Sequence, residues 1–252
     1  MQFFKKFLFK LLRFAGIIAI VYASLVFYLL LSERRLAFPR AESDTVAEKL
    51  LEKNAVICHA DDALLQGWIL NDSLPETVLY FADGGEDAAT FLSHAKKLNG
   101  FRFVAFNYRG SAGSEGRPAE KHYADDISAM IGCANAANPI FIGHGTGSIA
   151  AYNAFADRLG KAAILVDPAE SFNATLSSRY RIFFPAFLGR TKARMNFHTD
   201  IPEKATVITD DPRRQETVKN LLAKEPDNFR VVPREGASLL EILQREISAI
   251  HP

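Results

Sequence analysis

The sequence predicts an α/β domain: a mostly parallel sheet with an antiparallel leading hairpin and helices on both faces, preceded by one transmembrane helix. Three observations carry that expectation. Strand-length apolar runs alternate with helix-period segments up to residue 250, two short runs at 55–59 and 64–70 are joined by a turn, and an uncharged stretch lies near the start. Such alternation means parallel pairing through right-handed crossovers, with helices covering the sheet. The 252 residues hold one sizeable domain and an appendage. The expected division is 1–35 for a basic N-terminus and anchor and 36–252 for the domain, with a small lid-like insertion near 169–200.

The appendage comes first. From Phe14 to Leu31 no residue is charged, and at 1.5 Å per residue those positions span roughly 27 Å, close to the hydrocarbon thickness of a bilayer. Lys5, Lys6, Lys10 and Arg13 precede the run and share a helical face opposite Phe3, Phe4, Phe7, Leu8 and Leu11, an arrangement whose cations snorkel toward headgroups. A cleaved signal peptide is the rival reading, with Ala23-Ser24 as the cleavage site, but the apolar run continues seven residues beyond it. An uncleaved signal anchor in contact with membrane lipid through residues 14–31 is therefore favoured. Four cations before the span against Arg34, Arg35 and Arg40 after it lean toward an inside N-terminus and an extracytoplasmic domain.

The domain follows a short linker at 32–40. A helix is expected near 45–53, strands at 55–59 and 64–70 around the turn 60–63, and a strand at 74–81 begun by a proline. The helix at 87–98 ends at Gly100 as a C′ glycine would end it. A buried strand at 101–106, a Gly/Ser-rich loop at 109–118 and a helix at 120–134 come next. The alternation repeats as strand 139–142, helix 147–159 and strand 162–166. An irregular stretch at 167–204 holds an apolar patch at 182–188, for which lid packing is the default and contact with lipid or another membrane protein the alternative. Strand 205–208, helix 214–224, strand 229–232 and helix 239–250 complete the chain.

Composition excludes several function classes. A formal net charge of +1 leaves no basic excess for a nucleic-acid surface. Asp61, Asp62, Asp83, Glu86 and Asp87 match no calcium loop and are expected in two exposed turns, and no Cys/His cluster has zinc spacing. Gly143, Gly145 and Gly147 lack the register of a dinucleotide loop. No cofactor and no metal are expected. Cys58 and Cys133 are expected as two separate buried thiols, a disulfide being the alternative.

The segment Ile140-Phe141-Ile142-Gly143-His144-Gly145-Thr146-Gly147-Ser148 runs from apolar strand through a glycine-rich turn into a small-residue helix. That is the context in which G-x-S-x-G holds a catalytic serine, but the central position here is Gly145. The turn holds its central residue at backbone angles that cost a side chain of order 1–3 kcal/mol, which glycine relieves. Beside it, Leu36-Ala37-Phe38-Pro39, the Asp61–Trp68 hairpin and Asn107-Tyr108-Arg109-Gly110-Ser111-Ala112-Gly113-Ser114-Glu115-Gly116-Arg117-Pro118, with Tyr123 and Asp125 after them, resemble the membrane-anchored α/β-hydrolases of the Bem46-like and serine-aminopeptidase-like group. Asp62 stands where that family has its turn glycine. The resemblance covers nearly everything after the anchor and implies the α/β-hydrolase fold.

In working members a serine attacks an acyl carbonyl, a histidine takes its proton and an aspartate orients the histidine. By this resemblance the serine falls on Gly145, the acid on Arg213, and the histidine in the turn at Ser238 and Leu239. No histidine lies between His198 and His251. The loop that usually carries His-Gly near the oxyanion reads Ala82-Asp83-Gly84-Gly85. Thr146 is expected to lend its backbone N–H to that region with its side chain turned away, and Ser148 to be structural. His144 is expected as packing. Tyr108, Arg109, Gly110, Gly113, Ser114 and Gly116 form a structural loop, with Ser111 and Ser114 bonding the turn and Arg109 tying it together; a substrate carboxylate on Arg109 is the minority reading. Two functions follow: a catalytically inactive hydrolase-like pseudoenzyme serving as a binding or scaffolding module, or a divergent hydrolase of ester, thioester or peptide substrates.

Overall fold

Eight strands form one sheet in the order β1-β2-β4-β3-β5-β6-β7-β8. They are β1 Ala55–Ala60, β2 Ala63–Leu70, β3 Thr77–Phe81, β4 Arg102–Phe106, β5 Ile140–His144, β6 Ala162–Val166, β7 Ala205–Ile208 and β8 Phe229–Val232. The helices are α1 Gln2–Ala37, α2 Thr45–Leu50, α3 Ala88–Ala95, α4 Glu120–Ala134, α5 Gly147–Ala156, α6 Phe172–Tyr180, α7 Gln215–Lys224 and α8 Leu239–Ile250. The structure is a computed structural model and describes residues 2–198, 201 and 203–250; His251 and positions 199–200 of the expected insertion lie outside them.

β2 runs antiparallel to β1 and β4, and the other pairings are parallel. The inner strands β3, β4 and β6 are buried along their whole length, as strands covered on both faces must be, while edge strand β8 is buried only at its two ends. One core, with Phe81, Phe106, Phe141 and Tyr152, lies under α4, α5 and α7. The other, with Trp68, Tyr80, Phe103 and Leu243, lies under α2, α3 and α8. Side-chain caps fix the helix starts: the Asp87 carboxylate accepts Ala89 N–H at 2.9 Å, and Ser238 exchanges hydrogen bonds with Glu241 in a capping box. The strand begun by a proline starts at Thr77, and α3 stops at Ala95.

Three expectations are corrected. First, 32–40 is not a linker: α1 continues to Ala37 without a break. Glu33 is buried, and its Oε1 accepts the backbone N–H groups of Arg190 at 2.5 Å and Thr191 at 2.8 Å, so the foot of α1 is bonded to the segment after α6. The Tyr22 hydroxyl donates to the Ile182 carbonyl at 2.7 Å. Second, the irregular stretch contains α6, capped by Ser171, whose hydroxyl accepts Ala174 N–H at 3.0 Å. Third, Cys58 on β1 and Cys133 on α4 form a disulfide with Cα atoms 5.8 Å apart.

That disulfide closes a loop across 75 positions, worth about 4 kcal/mol in the chain-entropy model. Reduction, or Cys133→Ser, should lower the thermal midpoint by several degrees, read by circular dichroism with and without reductant. An unchanged midpoint would mean that the bridge does not form.

Candidate functional site

β5 runs into a tight turn and α5 follows at once. Gly145 at the apex has φ +52°, and its N–H donates to the Val166 carbonyl at 2.9 Å. The flanking glycines are set by crowding: a β-carbon at Gly143 would strike the α5 backbone, and one at Gly147 would strike the carbonyls of Phe81 and Ala82. Ser148 donates to the Gly143 carbonyl at 2.9 Å and is fully buried. The turn of a nucleophile elbow is therefore intact around a residue with no side chain.

Asp83, in the loop after β3, occupies the space above it. Its Oδ1 accepts Thr146 N–H at 2.8 Å, the Thr146 hydroxyl at 2.9 Å and Gly84 N–H at 2.8 Å. Its Oδ2 accepts Arg214 NH2 at 2.5 Å. A β-carbon at Gly145 would overlap both the Asp83 carboxylate and the Arg214 guanidinium. Burial raises the Asp83 pKa, but the Arg214 charge and the Thr146 N–H outweigh it and hold the carboxyl below its ordinary value. The Thr146 side chain is not turned away, since it also accepts Gly84 N–H at 2.9 Å. Asp83 N–H itself donates to Glu86 Oε2 at 2.9 Å. The backbone donors of Asp83, Gly84 and Thr146, in the region where the resemblance leads one to expect an oxyanion site, are thus all engaged by internal acceptors.

Glu86 joins a second group. Its Oε1 accepts the Tyr80 hydroxyl at 2.8 Å, and its Oε2 lies 2.8 Å from His144 Nδ1. His144 is hence hydrogen-bonded to Glu86 and not merely packed. Burial lowers its pKa, but the Glu86 hydrogen bond and charge prevail and leave it raised above 6.5. Tyr80 is buried, stacks on Phe91 with ring centroids 3.8 Å apart, and is pushed well above its ordinary pKa by burial. These groups and Leu239 line a pocket of about 200 Å³.

The remaining expected positions scatter. Arg213 is exposed and pairs with Asp211 at 2.9 Å; its neighbour Arg214 is the residue that enters the site. Ser238 caps α8. Asp167, just after β6, accepts the N–H groups of Asp210 and Asp211 at 3.0 and 2.9 Å and so braces the loop that carries Arg214. The acids expected in exposed turns diverge. Asp61 is exposed, whereas Asp83 is shielded and Asp87 is buried against Asn107 and α3. Among the described residues no three His, Cys, Asp or Glu side chains converge as metal ligands.

The loop after β4 is held from within. Arg109 is buried, donates to Asp126 and to the Ala60 carbonyl, and pairs with Asp62, which explains an acid where the family has a turn glycine. Ser111 accepts Ala41 N–H, Ser114 bridges Gln66 N–H and the Asn107 carbonyl, and Tyr108 donates to the Ala82 carbonyl. Gly110, Gly113 and Gly116 turn the chain at φ 73°, 84° and 83°. Between this loop and the elbow the free cavity is about 40 Å³, room for two or three waters. Phe38 and Pro39 fill the rest; the Phe38 ring lies 4.6 Å from that of Phe172.

Because the folded-state pKa of His144 is raised, its pairing stabilises fully below pH 6.5 and is lost as pH rises through the folded value. The His144 ring should therefore titrate above 6.5 by NMR, and Glu86→Gln should lower its midpoint. An unmoved midpoint would dissociate the pair.

No family model matches the chain, and no curated protein matches it in sequence. Solved structures do match in fold. An α/β hydrolase from Vibrio vulnificus has a TM-score of 0.63 at 18% identity, over 81% of this chain and 83% of its own. An esterase from Pyrococcus furiosus has a TM-score of 0.58 at 15% identity, over 84% and 94%. The bottromycin epimerase BotH, solved with bottromycin A2, has a TM-score of 0.57 at 15% identity, over 78% and 99%. The strand order, the glycine elbow and these likenesses together identify the domain's architecture as the α/β-hydrolase fold.

Proposed function

We propose that the chain is a single-pass membrane protein whose hydrolase-fold domain serves as a binding or scaffolding module and not as a serine hydrolase. One observation carries this reading: the Asp83 carboxylate, paired with Arg214, sits over Gly145 and takes the Thr146 N–H. A reacting carbonyl needs an attacking oxygen, a base and free donors for its oxyanion. Here the first is a hydrogen atom, Leu239 stands at the base position, and the donors already serve anions. The 40 Å³ cavity supports the same reading, since pockets for small ligands run to several hundred Å³. The fold does not decide the matter, because one fold hosts many tasks; among its structural likenesses are an esterase and an epimerase.

The membrane part of the proposal rests on α1, whose length and apolar composition suit a span. The disulfide supports an extracytoplasmic domain, because such bridges persist in oxidising compartments.

Purified full-length protein exposed to a fluorophosphonate should form no covalent adduct. An adduct lost on replacing one Ser or Thr would instead establish the divergent hydrolase. Gly145→Ser should also remain unlabelled, and the added side chain should destabilise the domain by about 1–3 kcal/mol through the clash with Asp83 and the positive φ. Labelling of that variant, or an unchanged midpoint of unfolding, would contradict the geometry.

A further inference from the structure

The foot of α1 borders a cleft of about 880 Å³ whose charged lining is entirely cationic: Arg34, Arg35, Arg40, Arg117 and Arg179. All five are exposed. Arg34 donates to the Pro118 carbonyl, and Arg179 lies over the Tyr180 ring at 5.8 Å. Among the described residues, none of Arg35, Arg40 and Arg117 pairs with a carboxylate. Glu33, the nearest acid on the helix, is turned away to the backbone of Arg190 and Thr191. Five like charges gathered around one hollow, with no acid in its lining, form a receptor for an anion.

The position of the cleft selects the anion. Its wall includes Leu31, the last residue of the uncharged run, and on the same helical face Phe27 and Tyr28 stand 64% and 65% exposed. On the segment after α6, Ile182 is 68% and Phe187 84% exposed. The Tyr22 hydroxyl meets the Ile182 carbonyl and Glu33 meets the Arg190 N–H, so the chain from 182 to 190 climbs beside α1 from the middle of its apolar run to its foot. A helix at that depth in a bilayer carries the segment's exposed apolar groups in with it. Cations then ring the mouth, and hydrocarbon-facing side chains continue below.

We propose that this cleft binds the phosphodiester headgroup of an anionic phospholipid, whose acyl chains run along α1 and the 182–188 segment. The arginines contact phosphate oxygens, and the apolar face excludes a free, fully hydrated phosphate as the preferred occupant. The proposal rests on α1 standing in a bilayer, as the functional reading holds.

Full-length protein in neutral detergent is incubated with equal amounts of phosphatidylglycerol and phosphatidylcholine, repurified, and its retained lipid quantified by mass spectrometry. Phosphatidylglycerol should be retained over phosphatidylcholine by about tenfold, and the variant R35Q/R40Q/R117Q should lose that preference while Arg→Lys at the same positions keeps most of it. Arg117→Gln alone, on an exposed loop, should lose part of it with an unchanged thermal midpoint. Equal retention of both lipids, or an unchanged preference in the triple variant, overturns the proposal. Displacement of phosphatidylglycerol by an equal concentration of inorganic phosphate also overturns it, making free phosphate the ligand. Flotation with neutral vesicles reads the anchor separately: a chain that does not float removes both readings, whereas one that floats without lipid preference keeps the anchor and removes this site.

Discussion

The ion pair between Asp83 and Arg214 is the constraint around which the rest of the site is arranged. Asp83 is mostly shielded from water and accepts three hydrogen bonds on Oδ1 besides the guanidinium on Oδ2, so both oxygens of its carboxylate are engaged. Hydrogen bonds to charged groups contribute about 1.5–3 kcal/mol each when formed, and a comparable penalty falls on the partners when one is removed. Gly145 follows from this, because a side chain at the elbow would displace the pair. The loop after β7 follows as well: Asp167 holds Asp210 and Asp211, and Arg214 begins the next helix from that platform. In the functional proposal this internal anion stands where a tetrahedral intermediate would otherwise place its charge.

The second organising contact is the bond between α1 and the segment after α6. A buried carboxylate on a helix that otherwise projects from the domain fixes the orientation of the domain relative to that helix, and with it the level of Ile182. Phe38 and Pro39, the first residues beyond the helix, then enter the space between Tyr123, Phe172 and Gly84. Helix α1 and the pocket are thereby coupled: the residues that leave the helix are ones that line the cavity beside the elbow.

Much of the fold was legible because buried parallel strands are continuous apolar runs, and β3, β4, β5 and β6 read as such with only their ends displaced. The glycine elbow was legible because its crowding demands glycines in a fixed register. What escaped depended on partners distant in the chain. α6 buries only Phe172 and Leu176, too sparse a stripe to signal a helix. The continuation of α1 depends on amides at 190–191, and the disulfide joins residues 75 apart with no spacing signature. The His144 contact leaves no local signal, because its partner Glu86 lies on another loop. A signal for Arg214 did exist: an acid at Asp83 and a basic pair at Arg213 and Arg214 replace the family pattern in two loops that both face the elbow, and opposite charges appearing together there suggest contact.

A double-mutant cycle on unfolding free energy with Asp83→Asn, Arg214→Gln and the pair isolates the interaction over Gly145 from other effects of each substitution. With Arg214 partly open to solvent, the coupling should be about 1–2 kcal/mol and should shrink as pH falls below the ordinary carboxylate range, where Asp83 becomes protonated. A coupling indistinguishable from zero at neutral pH would mean that the two side chains do not meet over the elbow, and the account of a closed oxyanion region would fail.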